Sequence, residues 1–139
     1  MAQRFNPADP SPALLAFLTA RHLATLTTLR PDGTPHVVPV GFTFEPERQR
    51  ARIITFGSSV KARNVARQPG SPAVLCQFEG ARWLTLEGPA TLCTDAAGNA
   101  EAEARYAQRY RTPTSRPDRV TIEIDVRTML GNLGASPSS

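Results

Sequence analysis

Two runs of β-branched residues flank a Pro-Asp-Gly turn in the first third of the chain. HLATLTTLR is followed by PDGT and then by PHVVPVGFTF, over residues 22–44. Such runs on either side of a tight turn predict an antiparallel β-hairpin. Apolar side chains occur at both alternating sets of positions in the first run, so both faces of that strand can be covered. Pro39 predicts an edge or a bulge, because proline cannot donate a hydrogen bond to a neighbouring strand.

Four more runs extend the β pattern along the chain. ARIITFG predicts a third strand, and RVTIEIDV alternates strictly as a closing strand. PAVLCQFEG and ARWLTLEGPATLC predict a second hairpin that turns at Glu79 and Gly80. An open sheet of about six antiparallel strands would leave long edges exposed. The sequence therefore predicts a mainly β (α+β) chain with a closed or nearly closed six-stranded antiparallel barrel.

Three helices are predicted between these strands. Ser11 before PALLAFLT predicts a capped helix with proline at its first position. Ser58 or Ser59 caps a second short helix that Pro69-Gly70 would end. The segment DAAGNAEAEARYAQRYR predicts a third helix despite its glycine.

The two ends of the chain are rich in Pro, Gly, Ser and Asn. We therefore expect an N-terminal arm over residues 1–10, one folded domain over 11–130 and a flexible tail over 131–139. The sequence has no apolar run long enough for a signal peptide or a membrane span, so the expectation is a soluble, cytoplasmic protein without a membrane partner.

The charge balance favours an anionic partner. The net charge is +4 and the isoelectric point is about 9.8, but the basic residues are scattered and not interleaved with aromatic residues. This pattern favours a small anionic ligand and predicts no nucleic-acid partner. The two cysteines lack metal-binding spacing and the two histidines lack an HExxH motif, so no metal site is expected.

No self-sufficient catalytic motif is present. GxSxG, a P-loop and GxGxxG are all missing from the sequence. We therefore predict no catalytic side chain, and expect any reaction to come from a bound cofactor.

The segment TFGSSVKARN, residues 55–64, carries the strongest local signal. A strand ends at Thr55, a glycine and two serines follow, and the next helix carries Lys61, the only lysine among 16 basic residues, together with Arg63 and Asn64. Amide N–H groups at a helix start, hydroxyl groups and an ammonium together favour a phosphate or a carboxylate. The alternative is an ordinary capped, solvated helix.

Other residues allow two interpretations. His36 lies among valines and Trp83 starts a strand, so each is a binding residue or a packed core residue. Tyr106 and Tyr110 are spaced to share one helix face, which either covers a basic-rimmed pocket or packs on the barrel.

Taken together, these segments resemble a known family. HLATLTTLRPDGTPHVVPVGFTFEPE, RIITFGSSVKARNVARQPG and VLCQFEGARWLTLEGPATL are similar to the pyridoxamine 5'-phosphate oxidase-like split β-barrel family, in particular its branch that uses the deazaflavin coenzyme F420. The similarity covers about residues 11–127. Most of this similarity lies in the residues of the Pro-Asp-Gly turn and in the helix that carries the K-x-R-N motif.

The resemblance implies a homodimer of split barrels of the FMN-binding type, with two cofactors at the dimer interface. F420 carries a phospholactyl group and an oligoglutamate tail, which suits a basic chain. The cofactor-binding residues that the resemblance implies are His36, Val38, Pro39, Val40, Thr55, Ser58, Ser59, Lys61, Arg63, Asn64, Ala81, Arg82 and Trp83. The last three would come from the second subunit.

The implied reaction is hydride transfer from reduced F420 to an organic acceptor, with the tetrapyrrole biliverdin, reduced to bilirubin, as the expected acceptor. Arg82, Tyr106 and Arg109 are the expected substrate contacts, since arginine can pair with propionates. Two alternatives stay open at this point: an FMN-dependent oxidase or reductase on the same barrel, and a non-catalytic module that binds F420 or haem.

Overall fold

The computed structural model describes residues 2–134, which form nine strands and three helices. The strands are β1 (Gln3–Phe5), β2 (Ala24–Leu29), β3 (Pro35–Val40), β4 (Thr43–Glu45), β5 (Arg50–Phe56), β6 (Pro72–Glu79), β7 (Arg82–Cys93), β8 (Arg119–Asp125) and β9 (Thr128–Asn132). The helices are α1 (Pro12–Thr19), α2 (Val60–Arg67) and α3 (Ala96–Arg109).

All strand pairs are antiparallel and belong to one strongly bent sheet. Its main path runs β3-β2-β6-β7-β8-β5-β4, and β9 pairs with β1 and with β7. The first part of β7 pairs with β9 and its last four residues pair with β8. The two ends of the path, β3 and β4, are consecutive in the chain and are separated by Gly41 and Phe42. The sheet therefore curves around one core as a split barrel.

Gly88 is the point at which β7 changes partners. Glu87 still pairs with Thr128 of β9, whereas Ala90 pairs with Ile124 of β8. A Cβ atom at position 88 would lie 1.7 Å from the backbone oxygen of Asp125. The bend thus requires the close backbone approach that only glycine permits.

The core fills the inside of this curved sheet. Leucine and isoleucine side chains from β2, β6, β7, β5 and β8 are fully buried, and α1 adds Leu14, Phe17 and Leu18. Burial of large aliphatic side chains is the main favourable contribution to folding here.

The mainly β class is confirmed, but the expected count of six strands is wrong, because β1, β4 and β9 are additional. The run PHVVPVGFTF divides into β3 and β4 at Gly41, where an added Cβ would lie 3.0 Å from the Tyr106 ring. The expected arm over residues 1–10 contains β1, which pairs with β9, and β9 crosses the expected domain boundary at residue 130. Residues 135–139 of the expected tail lie outside the described residues.

The helices follow the expected capping pattern in detail. The Oγ of Ser11 accepts a hydrogen bond from the N–H of Leu14, and the Oγ of Ser59, not Ser58, caps α2. In α3 an added Cβ at Gly98 would lie 2.3 Å from the Sγ of Cys93, which explains a glycine inside a helix. Each of the three helices in residues 2–134 is too short or too polar to span a membrane.

Candidate functional site

A groove of about 320 Å³, here called the main groove, lies beside the gap between β3 and β4. The end of β3, the end of β5, the start of α2, the end of α3 and the loop of residues 110–118 all contribute to it. It is lined by Pro39, Val40, Gly41, Ile54, Thr55, Phe56, Lys61, Tyr106, Arg111, Pro113, Thr114, Arg116 and Arg119.

Four of these lining residues are cations, and no carboxylate belongs to the described lining. Arg116 and Arg119 pair with nearby acids outside the lining, Asp118 and Glu103, at 3.0 and 3.1 Å. Lys61 is half-buried, and burial lowers the pKa of its ammonium. Within residues 2–134 this ammonium has no hydrogen-bond or ion-pair partner. The groove can therefore attract an anion, and Lys61 has its donors free to bind one.

The start of α2 is held by hydroxyl groups that bond to each other. The Oγ of Ser59 accepts from the N–H of Ala62 at 3.2 Å and from the Oγ1 of Thr55 at 3.1 Å. Both Thr55 and Ser59 are buried, whereas Ser58 is exposed. Ser59 thus builds the helix start that presents Lys61, and Thr55 reaches the main groove directly.

A second groove, of about 260 Å³, runs along a different side of α2. It is lined by Arg30, Pro31, Val60, Arg63, Asn64 and Arg67. Asn64 is buried, donates from Nδ2 to the Oγ1 of Thr28 at 3.1 Å and accepts from Arg67 at 3.3 Å. The predicted K-x-R-N set is therefore divided, with Lys61 in the main groove and Arg63 and Asn64 in the second groove.

The predicted residues of β3 also separate. Pro39 and Val40 line the main groove, while Val38 packs against the core. His36 lines neither groove, and its Nδ1 is buried without a hydrogen-bond partner among the described residues.

The predicted residues at and after the β6–β7 turn line neither groove. Ala81 is exposed and Trp83 is half-buried. Arg82 donates from Nε to the backbone oxygen of Leu133 at 2.9 Å, and its guanidinium lies 4.9 Å from the centre of the Phe17 ring.

Helix α3 and the residue that follows it contribute one predicted residue to the main groove and two to contacts inside the fold. Tyr106 lines the groove, and its ring centre is 4.9 Å from that of Tyr110. The hydroxyl of Tyr110 donates to the backbone oxygen of His22 at 2.6 Å.

Arg109 is committed to structural contacts. It donates to the backbone oxygens of Ala20 and Phe42 and, from Nη2, to the Oε1 of Gln77 at 2.7 Å. The structure thus gives Arg109 a role in fixing α3 to the sheet, which differs from the expected contact with substrate.

Sequence reasoning missed the groove residues of the 110–118 loop and of the start of β8. Pro113, Thr114, Arg116 and Arg119 come from RTPTSRPDR, which shows no helix or strand periodicity. The signal in this stretch was its arginine content next to the predicted α3.

Comparison with known proteins adds one close relative. The chain is 56% identical over 118 residues to the F420H(2)-dependent biliverdin reductase of Mycobacterium tuberculosis (strain CDC 1551 / Oshkosh), and the match covers 85% of each protein.

Solved structures with the same fold are more distant in sequence. A conserved hypothetical protein of M. tuberculosis has a TM-score of 0.72 at 22% identity, covering 91% of this chain and 87% of that one. A structure described as an F420 reductase has a TM-score of 0.66 at 24% identity, covering 82% and 93% of the two chains.

The family model for pyridoxamine 5'-phosphate oxidase matches residues 10–132, nearly all of the described part. This match agrees with the split barrel and with the resemblance inferred from the sequence. The chain therefore belongs to the pyridoxamine 5'-phosphate oxidase family.

Proposed function

We propose that this chain is an F420-dependent reductase that passes a hydride from reduced F420 to an organic acceptor, with biliverdin as the favoured acceptor. The observation that carries the proposal is the main groove, in which a half-buried lysine without a partner lies among arginines and no acid belongs to the described lining. The M. tuberculosis relative, 56% identical, narrows the anionic ligand to F420.

The residues of the main groove fit such a cofactor. A phosphodiester is always ionised at neutral pH, and a lysine ammonium with free donors is a strong partner for it. Lys61 would hold the phospholactyl group, Thr55 would lie along the ribityl chain, and Pro39 and Val40 of β3 would lie beside the ring.

The second groove offers sites for further acidic groups of the same ligand. Arg63 is exposed there, and Arg30 and Arg67 line the same groove. No carboxylate lines this groove in the described part of the chain. Asn64 and Ser59 would act on the ligand indirectly, because their hydrogen bonds shape α2.

Reduced F420, when bound, supplies the hydride. The protein's residues bind and orient the two reactants, and their packing excludes water from the reacting faces. No side chain is assigned as a proton donor, and Lys61 is assigned to anion binding. Hydride transfer is then accelerated mainly by the alignment of donor and acceptor.

The acceptor is proposed to lie on the Tyr106 side of the main groove. Arg109 has its donors engaged within the fold, so it has little capacity left for a propionate. Of the three predicted substrate contacts, Tyr106 and the Arg82 of a second copy are still proposed to contact the acceptor.

A homodimer is proposed on the outer face of the sheet. Register places Pro39, Thr25, Cys76, Thr85 and Leu130 in one row across five strands, and Val37, Thr27, Val74, Glu87 and Thr128 in the next. Glu87 is the single charged residue in these two rows, and Val37 is 58% exposed. A broad face with so little charge suits the same face of a second copy.

The proposal is tested with purified protein, F420 and FMN. We expect fluorescence titration to show F420 binding, and reduced F420 to be oxidised faster when biliverdin is added. A protein that binds FMN but does not bind F420 would support the flavin-dependent alternative. Tight F420 binding without turnover of biliverdin or other acceptors would support the non-catalytic alternative.

A further inference from the structure

Arg119, at the start of β8, joins three separate parts of the structure. Its side chain is only 11% exposed. Its Nε donates to the Oε2 of Glu103 in α3 at 3.1 Å, and its Nη1 donates to the backbone oxygen of Thr55 in β5 at 3.2 Å. Its Nη2 donates to the backbone oxygen of Thr114 in the 110–118 loop at 2.7 Å.

The contact with Thr114 matters because this loop forms the outer wall of the main groove. The loop supplies Arg111, Pro113, Thr114 and Arg116 to the lining. Its end is held separately, since the N–H of Gly57 donates to the backbone oxygen of Asp118 at 3.1 Å. Within residues 2–134, however, no other hydrogen bond holds the segment 111–115.

The charge of Arg119 is already balanced. Glu103 pairs with it at 3.1 Å, and its two remaining nitrogen groups donate to backbone oxygens. Lys61, in the same groove, has no such partner in the described chain. Arg119 therefore differs in kind from an anion-binding residue, although both line the groove.

We infer that Arg119 is a positioning residue: by linking Thr114 to Thr55 it fixes the outer wall of the main groove relative to β5, and so places Arg111 for ligand binding. The effect on the ligand rests on the proposed function, whereas the effect on the wall does not. A planar guanidinium with donors in several directions can bond three acceptors on three elements, and a lysine ammonium cannot reproduce that geometry.

The first test uses limited proteolysis of the ligand-free protein with trypsin. In Arg119→Gln we expect cleavage after Arg111, in the wall, to be at least about tenfold faster than in wild type, because the charge-assisted hydrogen bond that holds the loop is lost. Cleavage after Arg127, between β8 and β9, should be unchanged. Arg119→Lys should give an intermediate rate. Arg50→Gln is the matched control, since it removes an arginine that pairs with Glu123 at 3.7 Å on the same pair of strands but lines neither groove.

The second test measures ligand binding and kinetics. In Arg119→Gln we expect the Kd for F420 and the KM to rise about tenfold or more, with kcat within about threefold of wild type. Arg119→Lys should restore part of the affinity. If Arg119→Gln does not fold, Glu103→Gln replaces it, because Glu103 is partly exposed and its loss only loosens the arginine.

Two results would overturn the inference. One is an unchanged rate of cleavage after Arg111 in the variants, and the other is faster cleavage with wild-type F420 affinity. If the wild-type protein binds no F420, the proposed function fails, and the proteolysis experiment alone then decides whether Arg119 holds the wall.

Discussion

The Lys61 ammonium is a half-buried charge without a partner in the described chain. Removing a charge from water costs free energy, and a neighbouring acid normally compensates for it. Here burial lowers the pKa and no described acid offsets the effect. An anionic ligand would supply the missing interaction, so this side chain should contribute more to binding than to folding.

We expect Lys61→Met to weaken F420 binding about 10- to 150-fold, because one charge-assisted hydrogen bond worth about 1.5 to 3 kcal/mol is lost. Folding stability should stay near that of wild type, since methionine keeps the length of the side chain. Isothermal titration calorimetry measures the affinity, and Arg127→Met, an exposed arginine outside both grooves, is the control. Wild-type affinity in Lys61→Met would make Lys61 an ordinary surface charge.

The lowered pKa of Lys61 also predicts the pH dependence of binding. A bound phosphate favours the protonated ammonium, so the pKa of Lys61 is higher in the complex than in the free protein. The affinity for the ligand is highest below the pKa of Lys61 in the free protein. Above that pKa the affinity falls by up to about tenfold per pH unit, until the pH exceeds the pKa of Lys61 in the complex. The Kd for F420 should therefore increase at alkaline pH, before an exposed lysine would deprotonate.

Lys61→Arg is the control for this pH dependence, because a guanidinium stays charged throughout the range. Binding is titrated for both proteins between about pH 7 and pH 10. Any change in the ionisation of the ligand itself affects both proteins equally, so a difference between them reports on residue 61. Superimposable profiles for the two proteins would contradict the assignment of Lys61.

At the level of helices and strands, the start of α2 depends on one of two adjacent serines. Replacing Ser59 by alanine should lower the free energy of unfolding by about 1 to 2 kcal/mol, because the N–H of Ala62 and the hydroxyl of Thr55 both lose their acceptor. The exposed Ser58→Ala should change it by less than about 0.5 kcal/mol. Urea denaturation measures the free energy of unfolding of both variants, provided that the m value is unchanged. Equal losses in the two variants would show that Ser59 is not the cap.

A second matched pair of variants tests the bend in β7. Gly88→Ala should cost at least about 3 kcal/mol or prevent folding, because its Cβ would overlap the backbone oxygen of Asp125. At Gly57 an added Cβ meets only the Cγ1 of Val120, at 4.0 Å. Gly57→Ala should therefore stay within about 1 kcal/mol of wild type. Thermal melts of the two variants compare them, and a stable Gly88→Ala protein would mean that β7 can bend elsewhere.

The elements differ in how far the sequence predicted them. The hairpins and the helix caps were predicted because turn residues and capping serines act on neighbours a few positions away. The short strand β1 was missed because three residues carry no measurable alternation and because it forms only by pairing with the distant β9. The strand β4 was predicted as a continuation of β3, and the break at Gly41 was missed. For the site, TFGSSVKARN identified Lys61 as a candidate, but which side of α2 each residue occupies depends on how the helix packs.

For the protein as a whole, the proposed homodimer makes a direct prediction about oligomeric state. Val37→Asp should convert the dimer to a monomer in sedimentation velocity, because it buries a new charge on the weakly charged face that the two copies share. Val60→Asp is the control, since Val60 is 42% exposed but lies in the second groove. A monomeric wild-type protein would contradict the dimer, and with it the contribution of Ala81, Arg82 and Trp83 from a partner.

The main groove takes its base from β3 and β5 and its outer wall from the 110–118 loop. The base belongs to the hydrogen-bonded sheet that holds the core together, whereas residues 111–115 of the wall make a single hydrogen bond within the described chain. Substitutions in the wall can therefore alter which acceptor fits while the folding free energy stays nearly constant. For protein engineering and for natural diversification alike, specificity and stability are then two nearly independent variables in this barrel.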